Sequence, residues 1–171
     1  MVYVQYAQYY VCDVDADKPA PSPERGGNGV ISVAPDAALL TCGIHTGDVP
    51  VTVELWDSVP PLDTGAWDEV AEVSFHSTTG AAEAVAPMGP PPEWDEDAEV
   101  NLPFAGPGSY RLRVHVRGRD ERRDGVVAEG EDPVEVHLIQ VWPAPEAPEI
   151  RHKLGDEVGA YWRGEDRPRR P

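Results

Sequence analysis

Cysteine is scarce in this 171-residue sequence, which holds only two, and long apolar runs are missing altogether. Cys12 and Cys42 are too few and too far apart for a disulfide framework or a four-thiolate zinc site, so we interpret both as small buried hydrophobic residues. No window approaches the ~20 apolar residues that a membrane-spanning helix needs, and the first residues lack the pattern of a secretion signal. We therefore expect a cytoplasmic protein with no membrane partner, whose fold requires neither disulfides nor metal ions.

Positive charge is the second scarcity, because 14 Lys and Arg stand against 31 Asp and Glu and leave a formal net charge of -17. Lys18 and Arg25 are the only basic residues before Arg111, whereas the same stretch holds eighteen acids. A field this negative repels phosphate backbones and anionic lipids and attracts basic surfaces. Nucleic acid is therefore not expected as a partner and a basic protein is favoured, although high negative charge can also serve solubility alone.

The residue patterns of catalysis and cofactor binding are also missing. No Gly-x-Ser-x-Gly turn presents a nucleophile, and no glycine-rich loop is placed to hold a phosphate. The acids between residues 13 and 24 have the alternate spacing of a calcium loop, but Lys18 stands where the sharp bend needs glycine. We therefore predict no catalytic residues, no metal and no cofactor, and we favour a protein that is not an enzyme.

Short alternating apolar runs and abundant turn residues fill the chain instead, with 19 Pro and 16 Gly. No apolar run has the 3.6-residue period and the length of a helix, so the pattern predicts an all-β fold. The expected architecture is an antiparallel β-sandwich or jelly roll with long Pro/Gly-rich loops, and a barrel is the alternative. Residues 1–150 are predicted to form this single domain, and residues 151–171 a C-terminal tail that is partly disordered.

The clearest strand is Tyr110–Arg117, in which apolar residues alternate with basic ones, and Val134–Trp142 is predicted to be its antiparallel neighbour. In Tyr110–Arg117 the apolar residues are expected to point one way and the basic residues outward. The further strands are predicted at Val2–Cys12, Val30–Ala34, Ala37–Ile44, Val49–Trp56, Val70–Ser77, Ala81–Val85 and Ala98–Phe104, with a short strand or helical turn at Val158–Trp162.

Two tryptophans are the best candidates for a partner-binding surface. Trp56 falls on the polar face of its predicted strand, and Trp94 lies in an acidic, proline-rich loop beside Asp95, Glu96 and Asp97. Exposed tryptophan next to acidic side chains is typical of a surface that binds a basic protein. These five residues form the predicted partner-binding site.

An alternative site lies on the basic strand. Arg111, Arg113 and Arg117 would project from one face together with His115, and His137 on the next strand could lie close to His115. Arginine in such a row can clamp a carboxylate or a phosphate, and two imidazoles can begin a metal site. The same arginines could equally pair with the protein's own acids, among them Glu54, Glu72 and Glu135.

The predicted hairpin also carries two resemblances. It reads GSYRLRVHVRGRD from Gly108 to Asp120 and PVEVHLIQVWPAP from Pro133 to Pro145. This pattern resembles one in proteins of high-GC actinobacteria, which implies no particular activity. The glycine turn, the YRLRV strand and the strand ending in LIQVW are more distantly similar to the competence protein J family of nuclease inhibitors. That resemblance implies an acidic inhibitor that binds the basic active face of a nuclease.

Three functions follow from these observations. The first is a binding protein without catalysis, an inhibitor or immunity-type partner of a basic protein such as a nuclease or toxin. The second is a small-ligand or metal-binding jelly roll, with or without enzymatic activity, built on the arginine row and the two histidines. The third is an accessory structural domain of a larger assembly. Exposed sheet edges are compatible with a monomer or a homodimer.

Overall fold

The computed structural model describes residues 1–13, 26–87 and 101–165, and these residues form two β-sheets packed face to face with one short helix. The predicted all-β sandwich is confirmed. The elements are β1 (Val2–Gln5), β2 (Gln8–Asp13), β3 (Ile31–Ala34), β4 (Ala37–Thr41), β5 (Thr46–Val49), β6 (Val51–Leu55), β7 (Glu69–Ser77), β8 (Ala82–Val85), β9 (Gly108–Arg117), β10 (Val136–Pro143), β11 (Ile150–Lys153) and α1 (Glu157–Trp162).

The first sheet has the order β3-β4-β2-β1-β5, and β8 also pairs with β2. The second sheet has the order β11-β7-β9-β10-β6. Strands β9 and β10 pair antiparallel from Arg117 opposite Val136 to Tyr110 opposite Pro143, so the predicted hairpin is confirmed. The fully antiparallel arrangement that we expected is wrong at one edge, because β6 runs parallel to β10.

The chain crosses from one sheet to the other at Pro50. The strand predicted as Val49–Trp56 is in fact shared, because β5 pairs with β1 in the first sheet and β6 with β10 in the second. Pro50 has no N–H to offer either ladder, and its carbonyl accepts a hydrogen bond from the backbone of His137 at 2.9 Å. This crossing makes one segment an edge of both sheets, and it places β6 and the residues after it at the side of the sandwich.

The stretch predicted as one strand from Val2 to Cys12 is two strands joined by a tight turn. Tyr6 and Ala7 occupy the turn with φ of 56° and 57°, the left-handed region that a two-residue hairpin of this kind needs at both positions. Asn or Gly usually occupies such positions, so Tyr-Ala gave no turn signal. The hairpin that we predicted around Pro35-Asp36 is confirmed as β3 and β4.

One hydrophobic core lies between the two sheets. The inward residues of β9 are Tyr110, Leu112, Val114 and Val116, all of them buried, as their alternation predicts. They pack with β7 and β10 and with the inward residues of the first sheet, which include Val4, Tyr9, Val11, Ala38 and Leu40. Each fully buried side chain of Val or Leu size stabilises the fold by about 1.5–3 kcal/mol.

The last described residues belong to the fold. The expected domain boundary at residue 150 coincides with the first residue of β11, which pairs with β7, and α1 follows with Asp156 as its N-cap. Where a short strand or a helical turn was expected at Val158–Trp162, the structure has the helix. Of the tail predicted to be partly disordered, residues 151–171, the last six lie outside the described residues. Residues 101–104 form no strand, so the strand expected at 98–104 is wrong there.

None of the helices in the described ranges is long and apolar enough to cross a membrane.

Candidate partner-binding surface

Two of the three arginines of β9, Arg111 and Arg113, are buried on the outer face of the second sheet. Arg111 donates to the Glu72 carboxylate at 3.0 Å and to the carbonyls of Ala147 and Pro148 at 2.8 and 3.1 Å. Both side chains of this ion pair are almost fully buried. The outer face of β9, which we expected to be wet, is therefore covered by the chain that leads into β11. Internal pairing, one of the two alternatives for the arginine row, is what the structure shows for Arg111.

Arg113 uses its guanidinium in the same way. It donates to Glu72 at 3.0 Å, to Gln140 at 3.3 Å and to the carbonyl of Pro60 at 3.1 Å. The guanidinium carbon also lies 5.0 Å from the ring centre of Trp142. A guanidinium with this many partners inside the protein has little left for a ligand.

Glu72 is the acid that joins these groups, because His152 also lies 3.1 Å from its carboxylate. Burial works to raise the pKa of Glu72, but the hydrogen bonds from His152, Arg111 and Arg113 outweigh it and hold the pKa below its ordinary value. The carboxylate therefore stays charged in the folded protein to a lower pH than in the unfolded chain.

We expect Glu72→Gln to flatten the loss of stability in acid. Because the folded pKa is depressed, Glu72 contributes its full stability above the unfolded pKa of about 4.3 and loses it as the pH falls through the folded value. In urea unfolding, the variant should have the lower free energy of unfolding at neutral pH. Below about pH 4.3, the free energy of unfolding should fall more steeply for the wild type than for the variant. Glu129→Gln, at an exposed position, should keep the wild-type slope. Parallel curves for Glu72→Gln and the wild type would contradict the assignment.

The two candidate histidines lie on opposite faces of the second sheet. His115 pairs with Leu138, and His137 pairs with Val116, so the register separates the two imidazoles by one residue. The expectation that they meet on one face is therefore wrong. His115 packs on the outer face with its ring centre 5.4 Å from that of Trp67, and burial first and Arg113 second lower its pKa. The guanidinium carbon of Arg117, at the exposed end of β9, lies 5.7 Å from the ring centre of Trp67.

His137 points between the sheets. Its Nδ1 lies 3.0 Å from the Tyr9 hydroxyl of the first sheet, and its Nε2 lies 2.7 Å from Glu135. Cys42 is buried beside them, as the sequence predicted, and burial raises the pKa of its thiol well above the usual range, with a further contribution from Glu135. These contacts form a polar cluster inside an otherwise apolar core.

A second group of buried charges lies under α1. Arg119 donates two hydrogen bonds to Asp156, at 2.7 and 2.8 Å, and further bonds to the carbonyls of Gly29 and Thr41. Glu69 accepts from Arg163 at 2.7 and 2.8 Å. Arg119 and Glu69 are both 0% exposed, so these ion pairs are part of the interior.

The candidate surface is the chain from residue 55 to residue 68, which follows β6 and which we name the edge segment. Its exposed apolar side chains are Leu55 at 42%, Trp56 at 37%, Val59 at 63% and Leu62 at 50%. Trp56 is placed by its backbone N–H, which donates to Val141, and its indole donates to Glu54. Four exposed apolar side chains within eight residues are typical of a surface that contacts another molecule.

Basic side chains from the sheet hold the backbone of the edge segment in place. Arg113 donates to Pro60, as described above, and Lys153 donates to the carbonyls of Thr64 and Trp67. Asp68 accepts from the backbone of Gly118 at 2.8 Å at the end of the segment. The segment is therefore both exposed and fixed, which reduces the entropy that a bound partner would have to remove.

The charge of the edge segment has a single sign. Its titratable residues are Asp57, Asp63 and Asp68. No lysine or arginine occurs in the sequence between Arg25 and Arg111. In the described ranges, four arginines and six acids are buried. Together they contribute -2 to the formal net charge of -17. A net charge of -15 therefore belongs to the rest of the chain.

The structure places the predicted partner-binding residues as follows. Trp56 is exposed on the edge segment, as the sequence predicted. Trp94, Asp95, Glu96 and Asp97 lie outside the described residues. Sequence reasoning missed Val59 and Leu62, although two apolar residues around Pro60-Pro61 with no strand pattern were a usable signal for exposure.

Two sheets connected by a crossing strand place the chain among the β-sandwich proteins. No family model matches it, and no curated protein matches it.

Two solved structures have the same fold. One is ComJ, an inhibitor of the DNA degrading activity of NucA, from Bacillus subtilis, with 17% identity, a TM-score of 0.56, and coverage of 83% of this chain and 92% of ComJ. The other is the product of crocagin biosynthetic gene J, also 17% identical, with a TM-score of 0.51 and coverage of 82% and 93%. The distant resemblance to the competence protein J family that the hairpin indicated is confirmed, and at this identity it shows the fold.

Proposed function

We propose that this chain is a cytoplasmic, non-enzymatic binding protein of the inhibitor or immunity type, whose partner is a basic protein such as a nuclease. The observation that carries the proposal is the edge segment, where exposed apolar side chains lie on a hydrogen-bonded backbone and the segment's own charged residues are all acids. Trp56, Val59 and Leu62 would supply the buried contacts, and Asp57 and Asp63 the charged rim. Trp94 and its acidic neighbours Asp95, Glu96 and Asp97 are proposed as further contacts.

Charge supports a basic partner in particular. A surface with this negative excess accelerates the approach of a basic protein, and the acceleration decreases as salt screens the charges. The basic active face of a nuclease, which must attract DNA phosphates, has the complementary charge. An acidic protein seated there would exclude DNA from it. The fold shared with ComJ, an inhibitor of a DNA-degrading activity, agrees with this mode of action.

The test is capture of partners from a lysate of the source organism on the immobilised protein, with elution by salt. We expect a basic protein in the eluate that degrades DNA and is inhibited by stoichiometric addition of the soluble chain. Trp56→Ala should weaken the affinity at least about 30-fold, because truncation of a tryptophan at the centre of an interface costs about 2 kcal/mol or more. Calorimetry with the purified partner measures the change.

Matched valines provide the control. Val59→Ala should weaken binding, whereas Val126→Ala should leave it unchanged, although the two side chains are similarly exposed at 63% and 59%. Val126 lies beside Thr46 in the first sheet, and nine residues of extended chain, up to roughly 30 Å, separate Thr46 from Leu55. Equal binding by wild type and Trp56→Ala, or an eluate without DNA-degrading activity, would overturn the proposal.

A further inference from the structure

The polar cluster around His137 combines three side chains of the types that bind transition metals. Cys42 follows β4 of the first sheet, whereas Glu135 directly precedes β10 of the second sheet and His137 lies in it. The thiol sulfur, a carboxylate oxygen and a ring nitrogen all lie within 4.8 Å of one another, and all three residues are buried. The three ligands come from two sheets, so the cluster exists only in the folded chain.

We propose that Cys42, Glu135 and His137 form a zinc site that links the two sheets. In a tetrahedral site the ligand atoms lie roughly 3.3–3.6 Å apart, given the usual zinc–ligand distances. The Glu135–His137 contact of 2.7 Å has to open slightly, and all three ligand atoms already lie within 4.8 Å of one another. Three protein ligands leave the fourth position to a water molecule.

The groups around the cluster already orient the ligands. The carboxylate of Glu135 is held through Oε2 by the backbone N–H groups of Gly43 and Ile44, at 2.9 and 3.1 Å, which leaves Oε1 directed at His137. A metal on His137 Nε2 takes the place of the proton that Nε2 shares with Glu135 and requires the ring proton on Nδ1, from which it donates to the Tyr9 hydroxyl at 3.0 Å. Metal-binding histidine and carboxylate side chains are normally supported in this way.

The donor set and its charge indicate zinc. A thiolate, an imidazole and a carboxylate together suit zinc, whereas calcium and magnesium prefer oxygen alone. When Zn²⁺ binds, the Cys42 thiol loses one proton to solvent, and the thiolate and the Glu135 carboxylate cancel the two positive charges. The buried site is then neutral, as a site in an apolar core should be.

The test uses the untagged, full-length protein with cobalt as a spectroscopic substitute for zinc. Refolding in the presence of Co²⁺, followed by desalting, should leave about one metal ion per chain, with the near-ultraviolet absorption of a thiolate–cobalt bond. Zinc should displace the cobalt and abolish the absorption. Zinc should also raise the midpoint of thermal unfolding, because it binds only the folded state.

The two cysteines provide the matched comparison. Cys42→Ser should lose the thiolate band and at least about tenfold in zinc affinity, whereas Cys12→Ser, in β2 and outside the cluster, should retain both. His137→Gln, checked for folding by circular dichroism, is the second variant in case Cys42→Ser does not fold. A wild-type protein that retains no metal after desalting, or a band that survives Cys42→Ser, would overturn the proposal. Because none of the ligands lies on the edge segment, these results do not depend on the partner.

Discussion

Arg119→Met is expected to lower the free energy of unfolding by about 3–5 kcal/mol. Arg119 is the largest of the fully buried side chains in the described part of the chain, and methionine fills much of its volume without the charge. The substitution leaves the Asp156 carboxylate without its two-pronged partner and removes the donor to the carbonyls of Gly29 and Thr41. Urea unfolding at neutral pH, followed by circular dichroism, measures the change.

The same substitution at an exposed arginine tests whether the loss of stability at Arg119 comes from burial of the ion pair or from removal of a charge alone. Arg122 pairs with Glu131, and the two side chains are 39% and 47% exposed, so Arg122→Met should change stability by less than about 1 kcal/mol. The loss of unfolding free energy should be several times larger for Arg119→Met than for Arg122→Met. If both variants lost the same small amount of stability, the ion pairs under α1 would not hold the interior together as described.

Gly118→Ala is expected to destabilise the fold by about 2–5 kcal/mol, or to prevent folding. Gly118 has φ of +80°, where an L side chain costs about 1–2 kcal/mol. A Cβ atom there would also lie 2.0 Å from the carbonyl oxygen of Val134, and relieving that contact costs about 1–3 kcal/mol more. The neighbouring backbone has little freedom to move, because Gly118 donates to Asp68 and Val134 leads into β10.

Gly106→Ala is the control that carries the same backbone strain without the contact. Gly106 has φ of +93°, and nothing lies within 4 Å of an added Cβ atom. Its alanine variant should therefore lose only about 1–2 kcal/mol in urea unfolding. Equal losses at both positions would mean that the Val134 carbonyl moves aside freely.

The alternation of residues was sufficient to predict the fold class and the central hairpin. Leu112 and Val114 point inward and Arg111 outward because successive side chains of a strand face opposite ways. Two features could not be predicted by that rule. The Tyr6-Ala7 turn carries residues that do not favour turns, and the parallel pairing of β6 with β10 joins segments 86 residues apart, for which local sequence holds no signal.

The candidate site was predicted in part for the same reasons. Exposure of Trp56 followed from its place on a polar face, whereas the use of Arg111 and Arg113 depends on which segments cover the second sheet. The grouping of Cys42 with Glu135 depends on tertiary contact across 93 residues, so sequence spacing gave no indication of it. His137 was recognised as a residue type that binds metals. Its expected neighbour was His115, but the strand register places the two histidines on opposite faces of the sheet.

The position of Arg163 has a consequence for how the protein is made. Glu69 and Arg119 are synthesised before the residues that compensate their charges, Arg163 and Asp156, which are almost the last of the described chain. Strand β6 likewise has no partner until β10 has been made. A nascent chain would therefore carry unpaired buried charges and open sheet edges, which favour aggregation. The native contacts can therefore be completed only after residue 163 has left the ribosome.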